Sequence, residues 1–262
     1  MDLGIEGQVA LVTGGSMGIG EASAMVLARE GVNVALCARG KDRLQQAADE
    51  IARATGVKTM VVVADCTRPD EVKRMVGEVA THFGRIDILV NSAGAAKAGP
   101  FTSLSDADWL ESLDLKLLGT VRVTREVFPL MQRQKGGRVV IIIGTYAQQP
   151  SAWATPAGAA NSGLVNFVKA VAEEGAKDRI LVNGISPGLV NTGRFEYLVK
   201  KRAADSGVSE QEARESFIKS LPLGRIIEPE EVGAAVAFLC SQHAGYITGT
   251  VQCMDGGTLK GI

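Results

Sequence analysis

At 262 residues, with 46% hydrophobic and 22% charged side chains, the chain is long enough to bury a sizeable core and has the make-up of one soluble globular domain spanning residues 1–262. A formal net charge of -1 offers no basic face for nucleic acid or an anionic membrane, and no apolar run is long enough to span a bilayer. The four cysteines (Cys37, Cys66, Cys240 and Cys253) form no CxxC pair and have no His nearby, so they read as buried thiols of a reducing, cytoplasmic compartment rather than a disulfide frame or a metal site; Met1–Glu6 lacks the basic start and apolar core of a signal peptide.

Val9–Val12 has the length and β-branching of a buried strand, and Glu21–Glu30 has helical apolar spacing at Ala24, Leu27 and Ala28. Between them lies Thr13-Gly14-Gly15-Ser16-Met17-Gly18-Ile19-Gly20. Glycines between a strand and a helix allow a sharp turn at Gly14. At Gly18 and Gly20 they allow a diphosphate to approach the helix N-terminus. Further strands are expected at Asn33–Cys37, Lys58–Ala64, Ile86–Val90, Arg138–Ile143, Leu181–Ile185 and Val251–Met254. Helices are expected at Lys41–Ala54, Pro69–His82, Asp106–Gln134, Ala154–Lys177 and Pro229–Cys240. Continuous apolar strands alternating with helices predict an α/β fold: a doubly wound parallel sheet of about seven strands, helices on both faces, ligands at the C-terminal strand ends. Asn191–Leu223 interrupts the alternation with polar, helical sequence, an insertion at about 189–225 that reads as a substrate loop.

The second strand ends at Ala38 and Arg39, with Lys41 and Arg43 close behind, where a carboxylate would bond the ribose of NAD. A guanidinium there favours the 2′-phosphate of NADP, although Met17 puts no second basic residue in the glycine loop. NADP(H) is therefore expected over NAD(H). Asp65 can accept from an adenine amino group or cap the helix after Thr67.

Thr13-x-x-x-Gly18-x-Gly20, Asp65, Asn91-Ser92-Ala93-Gly94, Asn183, Pro187-Gly188, Thr192, Gly249 and Asp255-Gly256-Gly257 together resemble the short-chain dehydrogenase/reductase family over nearly the whole chain. The resemblance implies a Rossmann-type fold and an NAD(P)(H)-dependent oxidoreductase. The cofactor site would comprise Gly14, Ser16, Met17, Gly18, Ile19, Gly20, Arg39, Asp65, Cys66, Asn91, Ala93, Gly94, Asn161, Pro187, Gly188, Val190 and Thr192. It also implies a homo-oligomer, a tetramer or dimer built on the two long helices, acting on a small molecule with no metal.

The family's chemistry uses an Asn, a Ser, a Tyr and, four residues on, a Lys. Hydride transfer to a carbonyl builds an alkoxide that must be protonated, and a free phenol with pKa near 10 does this poorly at neutral pH. Counting from Trp109, Gly119, Gly137-Arg138 and Pro150 places these four positions at Lys116, Gly144, Ala157 and Asn161. The expected site is thus an atypical one in which Tyr146 and Lys116, with Thr145, form a relocated acid/base pair. A non-redox enzyme (lyase, hydrolase or isomerase) or a silent nucleotide-binding subunit are the alternatives. Leu189, Phe195, Leu198 and Phe217, with Trp153, are expected to line a pocket for a small to medium apolar or aromatic substrate. Lys97, His82 and His243 read as solvated or helix-end groups.

Overall fold

Runs of apolar residues become strands, the central ones buried on both faces and the two at the sheet edges partly exposed. They are β1 (Val9–Thr13), β2 (Asn33–Ala38), β3 (Thr59–Val63), β4 (Ile88–Asn91), β5 (Gly137–Ile142), β6 (Ile180–Pro187) and β7 (Val251–Met254). In the computed structural model, which describes residues 1–260, they form one seven-stranded sheet in the order β3-β2-β1-β4-β5-β6-β7, and every pair is parallel. The helices are α1 (Gly18–Arg29), α2 (Lys41–Thr55), α3 (Pro69–Phe83), α4 (Asp106–Leu113), α5 (Gly119–Gln134), α6 (Thr155–Ala176), α7 (Gly193–Ser206), α8 (Glu210–Lys219) and α9 (Pro229–Cys240).

The two-residue period of the strands divides the core into two layers. Leu11, Leu89, Ile141 and Val182 face α3, α5 and α6 through residues such as Val79, Val127 and Leu164. Ala10, Val12, Ile88 and Val90 face α1, α2 and α9 through residues such as Leu27, Leu44 and Val236. The doubly wound parallel sheet expected from the alternation of elements is the observed one.

Several local expectations are corrected. The first helix starts at Gly18 rather than Glu21, so Gly18 and Gly20 belong to its first turn. The single helix expected over 106–134 is two: α4 begins with a capping box at Ser105 and Asp108, and a π-helical turn over Asp114–Leu118 precedes α5. Phe195 is only 1% exposed; it packs edge-on against Phe217 at 5.7 Å, with Val199, Ala203 and Ala213. These aromatics therefore hold α7 to α8 instead of lining an open pocket. Cys253 is exposed on β7, whereas Cys37, Cys66 and Cys240 are buried as expected. Burial pushes the Cys240 thiol up to about 12, which keeps it unreactive. Lys97 is paired with Glu111 at 3.1 Å. Among the described residues, no helix is long and apolar enough to cross a membrane.

At the N-terminal edge of the sheet, Asp87 ties β1 to the start of β4. Its buried carboxylate accepts from the Val9 N–H at 2.9 Å and from Arg85 Nη2 at 2.6 Å. Asp87→Ala leaves that buried N–H without its acceptor. Urea unfolding should show a loss of about 2 kcal/mol, while nucleotide affinity, at the opposite edge of the sheet, stays unchanged.

Candidate functional site

From β1 the chain steps outward to β2 and β3, then returns to place β4 on the other side of β1. The crevice at that reversal, beyond the C-terminal strand ends, is the binding place such a sheet creates. Thr13 closes its floor: the hydroxyl oxygen accepts from the backbone N–H groups of Ser92 and Ala93, both at 3.2 Å. Gly14 has φ +69°, and a Cβ there would come within 2.9 Å of the Ala93 nitrogen. A Cβ on Gly20 would overlap the Gly14 carbonyl. Gly18 has φ +59° and faces Thr192, whose Cγ2 lies 3.2 Å from the Cβ position. Ser16 and Met17 form the lip of this cradle, and Ile19 fixes α1 from below by accepting the Ser23 hydroxyl at 2.6 Å. The exposed first N–H groups of α1 and the absence of side-chain bulk suit a diphosphate.

At the outer end of the crevice, Arg39 follows β2 and lies close enough to Asp65 to act on its charge. Arg43 reaches across to Met17, with Nη1 3.8 Å from the sulfur. The basic contact that the loop sequence lacks is thus supplied from α2. Asp65 accepts from the N–H and hydroxyl of Thr67 at 2.9 and 2.8 Å. Burial raises the Asp65 pKa, but those hydrogen bonds, together with Arg39 and Arg68, outweigh it and hold the carboxyl below its usual range. The carboxylate closes a turn on Thr67 and does not cap α3, whose N-cap is Arg68. Beside it, the Cys66 carbonyl accepts from Arg122, which is paired with Asp114 at 2.6 Å. Asn91 donates to Thr124 at 3.1 Å and leaves its buried Oδ1 without a partner.

At the inner end, the Gly188 N–H is held by the Met254 carbonyl at 2.9 Å. The segment from Pro187 then bridges at Val190 to Ile227, and Thr192 donates to the Val190 carbonyl at 3.3 Å. Gly144 has φ +126°, and the Asn161 amide donates to its carbonyl at 3.1 Å. Asn161 is 2% exposed, and its Oδ1 has no partner. Ala157 lies one turn earlier on α6. Thr145 and Tyr146 form a short 3₁₀ turn; the Tyr146 ring is 38% exposed. Lys116, on the π-helical turn, is half-buried and lies along Gly94: a Cβ there would stand 3.5 Å from its Nζ. Burial, with Arg194 nearby, pushes the Lys116 amine down to about 8. Among the described residues, Lys116 has no salt-bridge partner, and no hydrogen bond joins it to Tyr146. The expected pair therefore share one crevice but do not touch.

Other residues at the inner end were missed in the sequence. Buried Ser186 donates to Gln148 Oε1 at 3.1 Å, which leaves the Gln148 amide N–H groups free. Arg194 has its guanidinium 5.3 Å over the Tyr197 ring. The spacing Tyr-x-x-x-Lys was missed as well: it occurs once, at Tyr197 and Lys201 on α7, far from position 157 in the chain. Lys201 stacks 4.8 Å over Trp153, so this pair forms part of the rim. Only the Tyr–Lys spacing was legible beforehand; the other contacts join segments far apart in sequence.

A family model described as enoyl-(acyl carrier protein) reductase matches residues 14–258. The 3-oxoacyl-(acyl-carrier-protein) reductase FabG of Aquifex aeolicus is 34% identical over 257 residues, covering 98% of this chain and 99% of that protein. The chain belongs to the short-chain dehydrogenase/reductase family. Another such relative, the oxidoreductase UcpA of Salmonella typhimurium, is 35% identical over 257 residues, 97% of this chain and 95% of its own. Among solved structures, L-sorbose reductase from Gluconobacter frateurii, complexed with NADPH and L-sorbose, matches with a TM-score of 0.96 and 35% identity over 100% of both chains. An actinorhodin polyketide ketoreductase with NADPH matches at 0.93 and 34%, over 96% of this chain and 97% of its own.

Of the short-chain dehydrogenase/reductase glycines in the cradle, Gly18 meets only the Thr192 side chain, so it can be changed without a backbone clash. Gly18→Ala places a Cβ at positive φ against Thr192 and narrows the cradle. Nucleotide affinity should fall by about tenfold or more, with a stability loss of only about 1 kcal/mol; calorimetric titration and thermal unfolding check the two together.

Proposed function

We propose that the chain is an NADP(H)-dependent oxidoreductase that reduces a small to medium apolar or aromatic carbonyl or enone, or runs the reverse reaction, with Lys116 as the proton donor. One observation carries this reading: the Lys116 amine lies along Gly94 on the inner wall of the crevice, without a salt-bridge partner among the described residues, and burial there lowers its pKa to about 8. The residue-by-residue resemblance puts Ala157 and Asn161 where the family has its Tyr and Lys, so the acid has to come from elsewhere. NADP(H) is supported by Arg39 and Arg43 at the outer end and by the NADPH bound in the two structural neighbours.

The glycine cradle and the first turn of α1 would hold the diphosphate, Arg39 the 2′-phosphate, and the segment Pro187–Thr192 the nicotinamide side. When bound, NADPH supplies a hydride to the substrate carbon. The substrate oxygen then gains an electron pair and needs a proton. A lysine with pKa about 8 is mostly protonated at pH 7 and gives up its proton more readily than a phenol with pKa near 10. Gly144 and Ala157 leave room for the substrate above the crevice floor. Thr145 and the free amide of Gln148 can donate to the carbonyl oxygen and polarise it. Tyr146, with Trp153, covers the substrate from the loop side.

Because the acid must start protonated, carbonyl reduction should decline as pH rises through about 8, and alcohol oxidation should rise over the same range. In Lys116→Met the limb at that pH should vanish, with kcat at saturating NADPH down by about 10²-fold or more. The pH–kcat profiles of the two proteins check this; an unchanged limb in Lys116→Met assigns the proton to another group. Arg39→Ala should weaken NADPH by about tenfold or more while leaving NADH within about threefold. Paired calorimetric titrations measure that ratio.

A further inference from the structure

α7 opens beside the glycine cradle: Thr192, its N-cap, stands over Gly18, with Cγ2 3.2 Å from where a Cβ would be. The helix has two unlike faces. Phe195, Val199 and Ala203 recur every four residues and are buried with Ala213 of α8. Arg194, Tyr197 and Lys201, spaced by three and four, lie on the other face. The Arg194 guanidinium lies 5.3 Å over the Tyr197 ring, and the Lys201 amine lies 4.8 Å over the Trp153 ring. Trp153 is tied in turn to the segment after β4, its carbonyl accepting from the Gly99 N–H at 2.9 Å. Arg194 and Lys201 therefore stand on the α7 side of the crevice mouth, with the 94–99 and 145–153 segments across from them.

With Lys116, three cations gather at this end of a chain whose formal net charge is -1. None of the three has a salt-bridge partner among the described residues. The carboxylates nearest them in sequence are committed elsewhere. Glu196 gives both oxygens to Arg214 at 2.6 Å, Asp114 holds Arg122 at 2.6 Å and Glu111 holds Lys97 at 3.1 Å. Asp205 follows Lys201 by one turn without forming a salt bridge to it. Arg194 is also close enough to Lys116 to bear on its charge: burial first, and then Arg194, lower the Lys116 pKa. Like charges on one crevice with no counter-ion repel until an anion reaches them. A neutral ligand leaves that repulsion in place, and a cation adds to it. A planar guanidinium suits a carboxylate in particular, which it holds by two parallel hydrogen bonds.

We infer that the substrate of this site carries a carboxylate, which Arg194 seats at the mouth of the crevice while the substrate carbonyl lies further in, at Lys116. Lys201 adds attraction at the rim, and the exposed Tyr197 and Trp153 rings flank the apolar body of the substrate. The inference rests on the reading above that Lys116 serves a carbonyl, and it narrows that carbonyl to an oxo acid. Arg194 decides which substrate is accepted and takes no part in the proton transfer. The phosphates of the dinucleotide are the other source of an oxyanion for this guanidinium, and the test separates the two.

The test is calorimetric titration of the full chain, with and without NADPH, using matched pairs: 4-acetylbenzoate against 4-acetylbenzamide, and 3-oxobutanoate against 3-oxobutanamide. Within a pair the carbonyl and the body are the same and only the charge differs. The acid of at least one pair should bind about tenfold or more tightly than its amide. Arg194→Gln should bring the two to within about threefold of each other, with NADPH affinity also within about threefold of the unaltered chain. Arg194→Lys, which keeps the charge and loses the fork, should retain part of the preference. Equal binding of acid and amide in both pairs, or binding of none of the four, overturns the inference. So does a loss of NADPH affinity in Arg194→Gln with the preference for acid intact, which assigns the guanidinium to the cofactor phosphates. NADPH oxidation followed in parallel keeps the two readings apart. Selective binding of an acid that is never reduced leaves the carboxylate seat without the redox reaction. Reduction of acid and amide with equal kcat/KM leaves the redox reaction without the seat.

Discussion

The Thr13 hydroxyl, fastened to the N–H groups of Ser92 and Ala93, sits where the sheet changes direction. It locks the end of β1 to the turn after β4 and so sets the distance between the glycine loop and the Asn91–Gly94 segment. Gly14 has to be glycine because that turn occupies the space of its Cβ, and Gly20 because the Gly14 carbonyl occupies the space of its own. Lys116 then lies on Gly94, and Asn161 on Gly144 one strand over. Thr13 thus fastens the segment on which Lys116 rests.

Burial and charge divide the crevice into two unlike ends. The outer end carries Arg39 and Arg43 on a solvent-facing edge, where a phosphate can be met without a large desolvation cost. The inner end carries a single half-buried amine whose protonated form is disfavoured by its surroundings. A phosphate-binding cation needs a permanent charge, and a proton donor needs a pKa near the working pH. On the proposed reading the fold supplies both from different elements, the end of β2 with α2 for the phosphate and the π-helical turn before α5 for the proton.

The sheet was legible in the sequence because its central strands, covered on both faces, are apolar throughout; the half-exposed edge strand β7 also came out residue for residue. The glycine loop was legible because its residues are constrained by local backbone geometry. The π-helical turn was not: Asp114–Leu118 carries helix-forming residues on both sides of it, and only the packing against α6 shows where the ladder widens. Phe195 and Phe217 looked like pocket residues because an aromatic in an insertion carries no sign of which way it faces; the contact between α7 and α8 decides that. The Arg43–Met17 and Ser186–Gln148 contacts join residues 26 and 38 positions apart, beyond the reach of any local pattern.

The central claim is that the crevice beyond β1 and β4 holds NADP(H), with Ala157 and Asn161 on the α6 wall. Calorimetric titration of the purified protein with NADPH and NADH tests it most directly. The account predicts NADPH binding in the micromolar range or tighter, about −8 kcal/mol or better, with NADH clearly weaker. Absence of binding by either nucleotide at millimolar concentration would contradict it, because the glycine cradle and Arg39 would then have no dinucleotide to hold.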